Sequence, residues 1–378
     1  MLQVLPSLST GGVERGTVDI ARAIVNAGGK ALVASSGGDM TRELQRAGAT
    51  HFELPVHSKN PITLGLNIGR LVSLIRENHV GIIHARSRAP AWSSYYAARR
   101  MKIPFITTFH GNYSDGNRLK HFYNSIMSKG DKVIAISDFI SDLVINNYGV
   151  DPSKVSLVPR GVDVEAFHPN AVSGARLKKL VEEWRVPDDH RVILLPGRLT
   201  NWKGQSVLVE ALARLKDKDG LRCILAGSAQ GRSRYVRELV KQINRLGLQG
   251  MVHLVGDCKD IPSAMLMSDV VVSASIEAEA FGRVIVEAQA MGRPVIATDH
   301  GAARETVIPG ETGWLVPPND PDALAEALKT VLSLDEGSRS DLSTRSIIHV
   351  REKYTRDKMC DRTLALYRDV LACFSPNA

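Results

Sequence analysis

Cysteine is scarce in this chain, and long apolar runs are missing from it. The 378 residues include four scattered cysteines, Cys223, Cys258, Cys360 and Cys373, and no two of them form a CxxC pair. This spacing supports neither a zinc site nor a disulfide framework. No stretch of 18 apolar residues occurs, so the sequence predicts no membrane-spanning helix. We therefore expect a protein of the reducing cytoplasm.

Two common nucleotide-binding motifs are also missing. The chain contains neither GxGxxG nor GxxxxGK[ST], which removes the main support for a dinucleotide-dependent dehydrogenase or a P-loop protein. Its amino terminus does not resemble a signal peptide, because Met1-Leu2 leads directly into a short strand and a glycine loop. We expect no secretory leader.

Positive charge is in excess, and it is concentrated in the first half. The formal net charge is +8; residues 1–170 carry 19 Lys and Arg against 13 Asp and Glu, and the remainder carries 29 against 27. A basic half can face nucleic acid, an anionic membrane or a phosphorylated substrate, or it can be a solvated surface. The absence of zinc-finger, RRM-like and KH-like signatures argues against nucleic acid.

Short apolar runs alternate with amphipathic stretches throughout the chain. Twelve strands are predicted: Gln3–Leu5, Ala31–Ala34, Ile82–His84, Phe105–Thr107, Val133–Ile136, Val155–Val158, Val192–Leu195, Cys223–Ala226, Val252–Val255, Val270–Ser273, Val295–Ala297 and Trp314–Val316. This α/β alternation predicts two doubly wound parallel-sheet domains, since twelve strands in one sheet would be unusual. We place the boundary between Pro169 and Arg191, giving domains 1–170 and 171–354 and a terminal stretch 355–378.

The segment from Ser273 to Pro318 is the most informative. Glu279 and Glu287 flank a Phe281-Gly282 turn that opens a predicted helix. Amides at such a turn favour an anion, and carboxylates beside it can accept hydrogen bonds from sugar hydroxyls. The segment therefore suggests a phosphate held next to a sugar. Glu287 could instead form an ion pair with Arg283 four residues earlier, and paired carboxylates also occur in glycosidases, although a loop and a helix position fit ligand recognition better.

Further candidates follow other predicted strands. Arg198 and Lys203 come directly after the first strand of the second half, where two cations suit a diphosphate, although they could be ordinary surface charges. The loop containing Thr10, Gly11 and Gly12 could cradle a phosphate or be only a tight turn. His110 follows a buried strand beside a glycine and could reach a cleft, whereas for His84 a structural role is favoured.

Together these residues resemble the retaining glycosyltransferases of family 4, which have the GT-B fold. The resemblance spans almost the whole chain and adds VPRGVDVEAFHP at 158–169, AGS at 226–228, VGD at 255–257 and the GxTGWLVPPxD run ending at Asp320. It departs from the family at Arg160, commonly asparagine, and at Ala280, commonly glycine. Arg160 adds a cation that could contact an acceptor phosphate.

The resemblance implies two Rossmann-like domains facing across a cleft, with the last helix returning to the first domain. The donor nucleotide sugar is expected on the second domain and the acceptor on the first. The implied site residues are Arg198 and Lys203 for the diphosphate; Gly11, Gly12, Ala280, Phe281, Gly282 and Arg283 near the phosphates; Glu287 for the ribose; Glu279 and His110 for the transferred sugar; and Gly256 and Asp257 for the base.

The resemblance implies a hexosyltransferase that uses a UDP- or GDP-linked sugar and a glycan or lipid-linked acceptor, and its likeness to bacterial members points to lipopolysaccharide or surface polysaccharide assembly. No divalent metal is expected, because cations can stabilise the departing diphosphate and the only DxD-like strings, at 217–219 and 320–322, lie in predicted surface turns. Alternatives are a nucleotide-sugar epimerase and a nucleotide-binding protein without transfer activity.

A cytoplasmic protein is expected, and attachment to the cytoplasmic face of the inner membrane is a further hypothesis. The basic residues proposed for that contact are Arg86, Arg88, Arg99, Arg100, Lys102, Arg118 and Lys120.

Overall fold

The computed structural model describes residues 1–9, 11–113 and 116–374, so Thr10 of the glycine loop and the last four residues of the 355–378 stretch lie outside the described residues. The chain forms two compact units. One comprises Met1–Arg160 with Arg356–Ala378, and the other comprises Gly161–Thr355. No described helix is long and apolar enough to cross a lipid bilayer.

The first unit is built on a parallel sheet of seven strands in the order β3-β2-β1-β4-β5-β6-β7. Its strands are β1 (Leu2–Val4), β2 (Leu32–Ser35), β3 (Thr50–Glu53), β4 (Ile83–Ala85), β5 (Phe105–Phe109), β6 (Lys132–Ala135) and β7 (Val155–Leu157). The helices of this unit are α1 (Gly12–Asn26), α2 (Thr41–Arg46), α3 (Pro61–Glu77), α4 (Arg88–Met101), α5 (Arg118–Ser125), α6 (Asp138–Tyr148) and α15 (Arg356–Phe374).

The second unit has a parallel sheet of six strands in the order β10-β9-β8-β11-β12-β13. Its strands are β8 (Arg191–Pro196), β9 (Leu221–Ala226), β10 (Val252–Gly256), β11 (Val270–Ser273), β12 (Val295–Thr298) and β13 (Trp314–Val316). Its helices are α7 (Gly174–Trp184), α8 (Gln205–Arg214), α9 (Ser233–Arg245), α10 (Ile261–Met267), α11 (Arg283–Ala290), α12 (Ala303–Thr306), α13 (Pro321–Leu332) and α14 (Glu336–Lys353).

The apolar runs predicted as strands are strands, because buried parallel strands have helices on both faces and are apolar along their whole length. The prediction missed β3. Its four residues, Thr50–Glu53, are only partly buried and pair only with β2 at the sheet edge. An edge strand with polar residues gives no apolar run to detect.

The chain passes from the first unit to the second after Arg160, ten residues before the predicted boundary. Phe167 and Val172 pack against an apolar cluster of the second unit, and Val162 forms an isolated parallel bridge with Thr355. Polar composition placed the boundary at the later linker, whereas these apolar contacts attach residues 161–172 to the second unit.

The terminal helix α15 belongs to the first unit. Met359, Leu366 and Val370 are buried in the same apolar cluster as Leu5 and Ile20. Tyr367 is also buried, and its hydroxyl lies 2.7 Å from Nδ1 of His84. His84 reaches Thr108 Oγ1, also at 2.7 Å, with its other ring nitrogen, so this histidine has a structural role.

Candidate functional site

In the second unit, the strand order reverses between β8 and β11. From β8 the chain continues to β9 on one side, whereas β11 on the other side leads on to β12 and β13. Open parallel sheets bind ligands at the carboxyl ends of the strands at such a switch point. Arg198 follows β8 by two residues, and Glu279 lies in the loop that follows β11. The fold therefore brings these two predicted site residues together at the carboxyl ends of neighbouring strands.

A glycine allows the turn that carries Lys203 to approach the loop after β11. Gly204 has φ +70°, and a Cβ atom there would lie 1.8 Å from the carbonyl oxygen of Ala274. Next to this contact, the Ile276 amide donates a hydrogen bond to the carbonyl of Trp202, two residues before Gly204, at 2.8 Å. Only glycine fits so close to another backbone at this φ. The backbone thus holds Lys203 beside the Glu279 loop.

Lys203 and Glu279 form an ion pair at this carboxyl end of the sheet. Their Nζ and Oε1 atoms are 2.7 Å apart, and Ser275 Oγ donates a second hydrogen bond to the same carboxylate oxygen. Burial raises the pKa of the Glu279 carboxyl, but Lys203, Ser275 and the nearby His300 together outweigh burial and hold it below its usual value. Glu279 is therefore an anion at neutral pH.

Arg198 supplies a second cation that is exposed to solvent. Its guanidinium carbon lies 6.0 Å from the ring centre of Trp202, whereas Lys203 Nζ lies 4.4 Å from a ring centre of the same side chain. Within the described ranges, no carboxylate pairs with Arg198. The backbone oxygen of Arg198 accepts a hydrogen bond from Gln205, which fixes the loop. An unpaired guanidinium beside a paired lysine can bind an added anion.

The turn before α11 has the conformation that the glycine motif predicts. Gly282 caps the helix with φ +70°, and the part of the chain that the structure describes provides no side-chain cap for it. Ala280 is partly buried, and Phe281 packs edge-on against Tyr354 with ring centres 5.7 Å apart. Free amides at the start of a helix attract anions. The phosphate-binding role assigned to this turn stays a prediction.

Glu287 forms an ion pair with Arg283, as the four-residue spacing between them allows. Its buried carboxylate accepts a hydrogen bond from Arg283 Nη2, one turn earlier on α11. Gly256 ends β10 with φ +75°, and it and Asp257 are exposed at the edge of the sheet. Glu287 and the loop at Gly256 and Asp257 therefore take no part in the contact between Lys203 and Glu279. Their roles in binding the ribose and the base stay predictions.

Both DxD-like strings have structural roles. Asp320 caps α13 by accepting hydrogen bonds from the amides of Asp322 and Ala323. Asp322 pairs with Arg214 at 2.6 Å, and Asp217 accepts a hydrogen bond from the amide of Asp219. Capping and surface pairing explain these aspartates.

Sequence reasoning missed His300. It follows β12, the neighbour of β11, and it is one of the groups that lower the pKa of the Glu279 carboxyl. Both ring nitrogens are buried, and neither has a hydrogen-bond partner among residues 1–9, 11–113 and 116–374. The signal was available, because His300 comes two residues after the buried strand β12, much as His110 directly follows the buried strand β5.

In the first unit, the strand order reverses between β1 and β4. The Gly11-Gly12 loop follows β1 and opens α1, Arg86 directly follows β4, and His110 follows the adjacent β5. Arg86 Nη1 donates to Gln3 Oε1 at 3.0 Å, and Arg160 Nη2 donates to the Gly12 carbonyl. The glycine loop, two arginines and a histidine thus meet at the switch point of this sheet.

Arg86 was predicted to be a membrane contact, and that prediction is wrong. Its side chain is buried, and together with His84, His110 and Arg160 it lines a cavity of about 20 Å³, room for about one water molecule. Arg86 lies at the end of a central strand, where its basic sequence neighbours gave no indication of burial.

His110 is electrically neutral in this cluster. Burial holds its pKa well below the usual value, and the positive charges of Arg160 and Arg86 lower it further. No described residue hydrogen-bonds to either ring nitrogen. A neutral imidazole with both nitrogens unused can accept or donate one hydrogen bond to a ligand.

Comparison with known proteins agrees with this arrangement. The family description "Glycosyltransferase Family 4" matches residues 10–166, and "Glycosyl transferases group 1" matches residues 178–347. A D-inositol 3-phosphate glycosyltransferase of Xylanimonas cellulosilytica is 30% identical over 289 residues, which are 71% of this chain and 67% of the relative.

Two solved structures extend the likeness to the full chain. A glycosyltransferase from Rickettsia africae is 38% identical with a TM-score of 0.91, and the alignment covers 98% of each chain. Anabaena Alr3699/HepE in complex with UDP-glucose is 25% identical with a TM-score of 0.85, covering 97% of this chain and 99% of that one.

The fold and the two switch-point sites define a GT-B enzyme of two Rossmann-like units. The chain belongs to the group 1 glycosyltransferases of family 4.

Proposed function

We propose that this glycosyltransferase moves a hexosyl group from a UDP- or GDP-linked sugar to a glycan or lipid-linked acceptor, retaining the anomeric configuration and using no divalent metal. The observation that carries the proposal is the Lys203–Glu279 pair beside the unpaired Arg198 at the switch point of the second sheet. A cation for the diphosphate and a carboxylate for sugar hydroxyls stand side by side there. The UDP-glucose bound by the Anabaena relative supports a nucleotide-sugar donor.

Charge development explains how these residues act. Breaking the bond between the sugar and the diphosphate leaves negative charge on the departing oxygen. Arg198 and Lys203 are fixed cations that stabilise this charge more in the transition state than in the bound donor. Removing one well-placed donor of this kind typically reduces kcat about 100- to 1,000-fold. Glu279 keeps Lys203 oriented and can accept hydrogen bonds from the sugar.

The switch-point cluster of the first unit is the proposed acceptor side. Neutral His110 can hydrogen-bond to the transferred sugar without adding charge, and the Gly11-Gly12 turn opens α1 with no side-chain cap among the described residues, which suits a phosphate. Retention follows from the family resemblance. No carboxylate has been assigned as a covalent nucleophile, because Glu279 is already bound to Lys203 and Ser275.

Two acceptor classes follow from different observations. Lipopolysaccharide or surface polysaccharide assembly follows from the resemblance to cell-envelope enzymes. A phosphorylated polyol is the second candidate, because the name of the Xylanimonas relative specifies inositol 3-phosphate and because Arg86 and Arg160 concentrate positive charge beside α1.

A transfer assay with EDTA tests the proposal. UDP- and GDP-sugars are offered with lipid-linked glycans and with inositol phosphates, and nucleoside diphosphate release and the anomeric proton of the product are followed. We expect acceptor-dependent transfer with retained configuration, lost in Arg198→Ala and kept in Lys241→Ala, an exposed cation on α9. A sugar altered without an acceptor would instead indicate an epimerase, and nucleotide binding without turnover would contradict enzyme function.

A further inference from the structure

Positive charge is concentrated in one part of the first unit. Residues 54–130 contain 11 Lys and Arg against two acidic residues, Glu77 and Asp115, a local net charge of +9 in a chain whose total is +8. This segment includes α3, α4 and α5. The rest of the chain is therefore close to neutral, and seven of the eleven cations of this segment lie on these three helices.

The same helices expose large apolar side chains. On α3, Ile62 and Leu66 are one turn apart and are 73% and 57% exposed. On α5, Leu119 and Phe122 are three residues apart and are 81% and 61% exposed. Isolated exposed leucines are ordinary, but pairs at helical spacing on two helices of one segment indicate a contact surface.

Ring contacts join α3, α4 and α5 into one surface. Lys59, two residues before α3, lies 5.9 Å from the ring centre of Tyr123 on α5. Phe122 of α5 packs on Trp92 of α4 with ring centres 5.3 Å apart. Arg88 Nη1 donates to Asn124 Oδ1 at 2.9 Å, which fixes the end of α5 to α4. The apolar pairs of α3 and α5 are therefore held on neighbouring helices.

We propose that this α3–α5 face, comprising Ile62, Leu66, Leu119 and Phe122 with the exposed cations Lys59, Arg118 and Lys120, docks on an anionic lipid bilayer. The apolar side chains would enter the boundary between headgroups and acyl chains, while the cations remain with the lipid phosphates. Polybasic segments gain about 1 kcal/mol per Lys or Arg near an anionic surface.

The chemistry of the face favours a bilayer over nucleic acid. Leucine and isoleucine protrude among the cations, and aliphatic side chains gain by leaving water for acyl chains. Single-stranded nucleic acid would instead need aromatic faces on which bases stack. Here Phe122 packs partly on Trp92, Arg88 lies 4.4 Å from the ring centre of Tyr113, and three of the four exposed apolar side chains of the face are aliphatic.

Vesicle binding by the full chain, without any donor sugar, tests the proposal. The probes are vesicles of equal parts phosphatidylglycerol and phosphatidylcholine, and vesicles of phosphatidylcholine alone. We expect binding to the first that weakens with added salt, as screening requires. Leu119→Ser with Phe122→Ser should reduce it at least about tenfold, since burying each side chain fully is worth about 1.5–3 kcal/mol.

Matched variants separate this face from general surface properties. Val240→Ser with Ile348→Ser removes two exposed apolar side chains of the second unit and should leave vesicle binding unchanged. Arg118→Ala with Lys120→Ala should weaken binding about tenfold or more, and Lys241→Ala with Arg245→Ala, two exposed cations of α9, should not.

Three results would overturn the proposal: no binding to anionic vesicles, equal binding by the Leu119/Phe122 variant, or binding to random-sequence RNA in place of vesicles. Transfer activity is not required for any of these measurements. Failure of vesicle binding would therefore leave the proposed transferase function standing, and failure of transfer would leave the bilayer contact standing.

Discussion

The side-chain nitrogen of Lys203 lies 2.7 Å from Oε1 of Glu279, so the predicted phosphate-binding cation and the predicted sugar-binding carboxylate contact each other. The two residues come from loops that follow β8 and β11, 76 positions apart in the chain. Before a ligand binds, Lys203 is neutralised and Arg198 is not. A diphosphate would therefore meet Arg198 as the unpaired charge and would share Lys203 with Glu279.

The first prediction concerns the protonation of Glu279. In the wild type its pKa lies below the ordinary 4.5, so the stability it contributes is lost only as the pH falls through that lower value. In Lys203→Met the lysine no longer counteracts the effect of burial on the carboxyl. We therefore expect the folded-state pKa of Glu279 to rise above 4.5. The folded state then binds more protons than the unfolded state, so stability should fall as the pH rises from 4.5, by about 1.4 kcal/mol per unit of pKa shift.

Denaturant unfolding across a pH series from 4.5 to neutral measures this effect. Lys178→Met is the control, because Lys178 is an exposed lysine that also pairs with a glutamate, Glu182. Parallel stability curves for the two variants would show that Lys203 does not set the protonation of Glu279.

The second prediction tests the close approach at Gly204. Gly204 and Gly247 both have φ +70°, but only at Gly204 would a Cβ meet another backbone, while Gly247 has open space. Alanine at either position loses about 1–2 kcal/mol to the left-handed conformation. Gly204→Ala should cost about 1–3 kcal/mol more through overpacking, and it should reduce transfer because the turn carrying Lys203 must move. Similar unfolding free energies for both variants would contradict the close contact.

Much of the fold was predictable from the sequence, and part of the site was as well. Buried parallel strands are continuous apolar runs, so twelve of the thirteen strands could be recognised, and only the partly exposed β3 could not. Which strands are neighbours depends on the packing of whole helices. The sequence therefore could not show that Lys203 and Glu279 contact each other, and it did not lead to His300. It also suggested that Arg86 is exposed at the surface, although this side chain is buried after a central strand.

The third prediction concerns His110 and the departure from the family at Arg160. Burial keeps the pKa of His110 well below 6.5, and Arg160 is the first of the charges that add to this. The stability that comes from keeping His110 neutral is fully present above pH 6.5, the ordinary pKa of histidine. It is lost as the pH falls from 6.5 towards the lower pKa of the folded state. Arg160→Asn should raise the pKa of His110, although burial still holds it below 6.5.

Proton NMR titration of the His110 ring measures this shift, with the resonance assigned from His110→Gln. Arg118→Asn, which changes an exposed arginine of the same unit, should leave the His110 pKa where it is. An unchanged pKa in Arg160→Asn would show that the charge of Arg160 does not act on His110.

The measurement that tests the central claim most directly is a thermal-shift titration with UDP, GDP and ADP, in EDTA, with NAD as the comparison ligand. A ligand at about 100 times its Kd adds about 2.7 kcal/mol of stability, which moves Tm by a few degrees. The account predicts a shift with one nucleoside diphosphate that is lost in Arg198→Ala with Lys203→Ala and kept in Lys241→Ala with Arg245→Ala. No shift with any nucleoside diphosphate, a shift only when a divalent metal replaces EDTA, or an undiminished shift in the Arg198/Lys203 variant would contradict it.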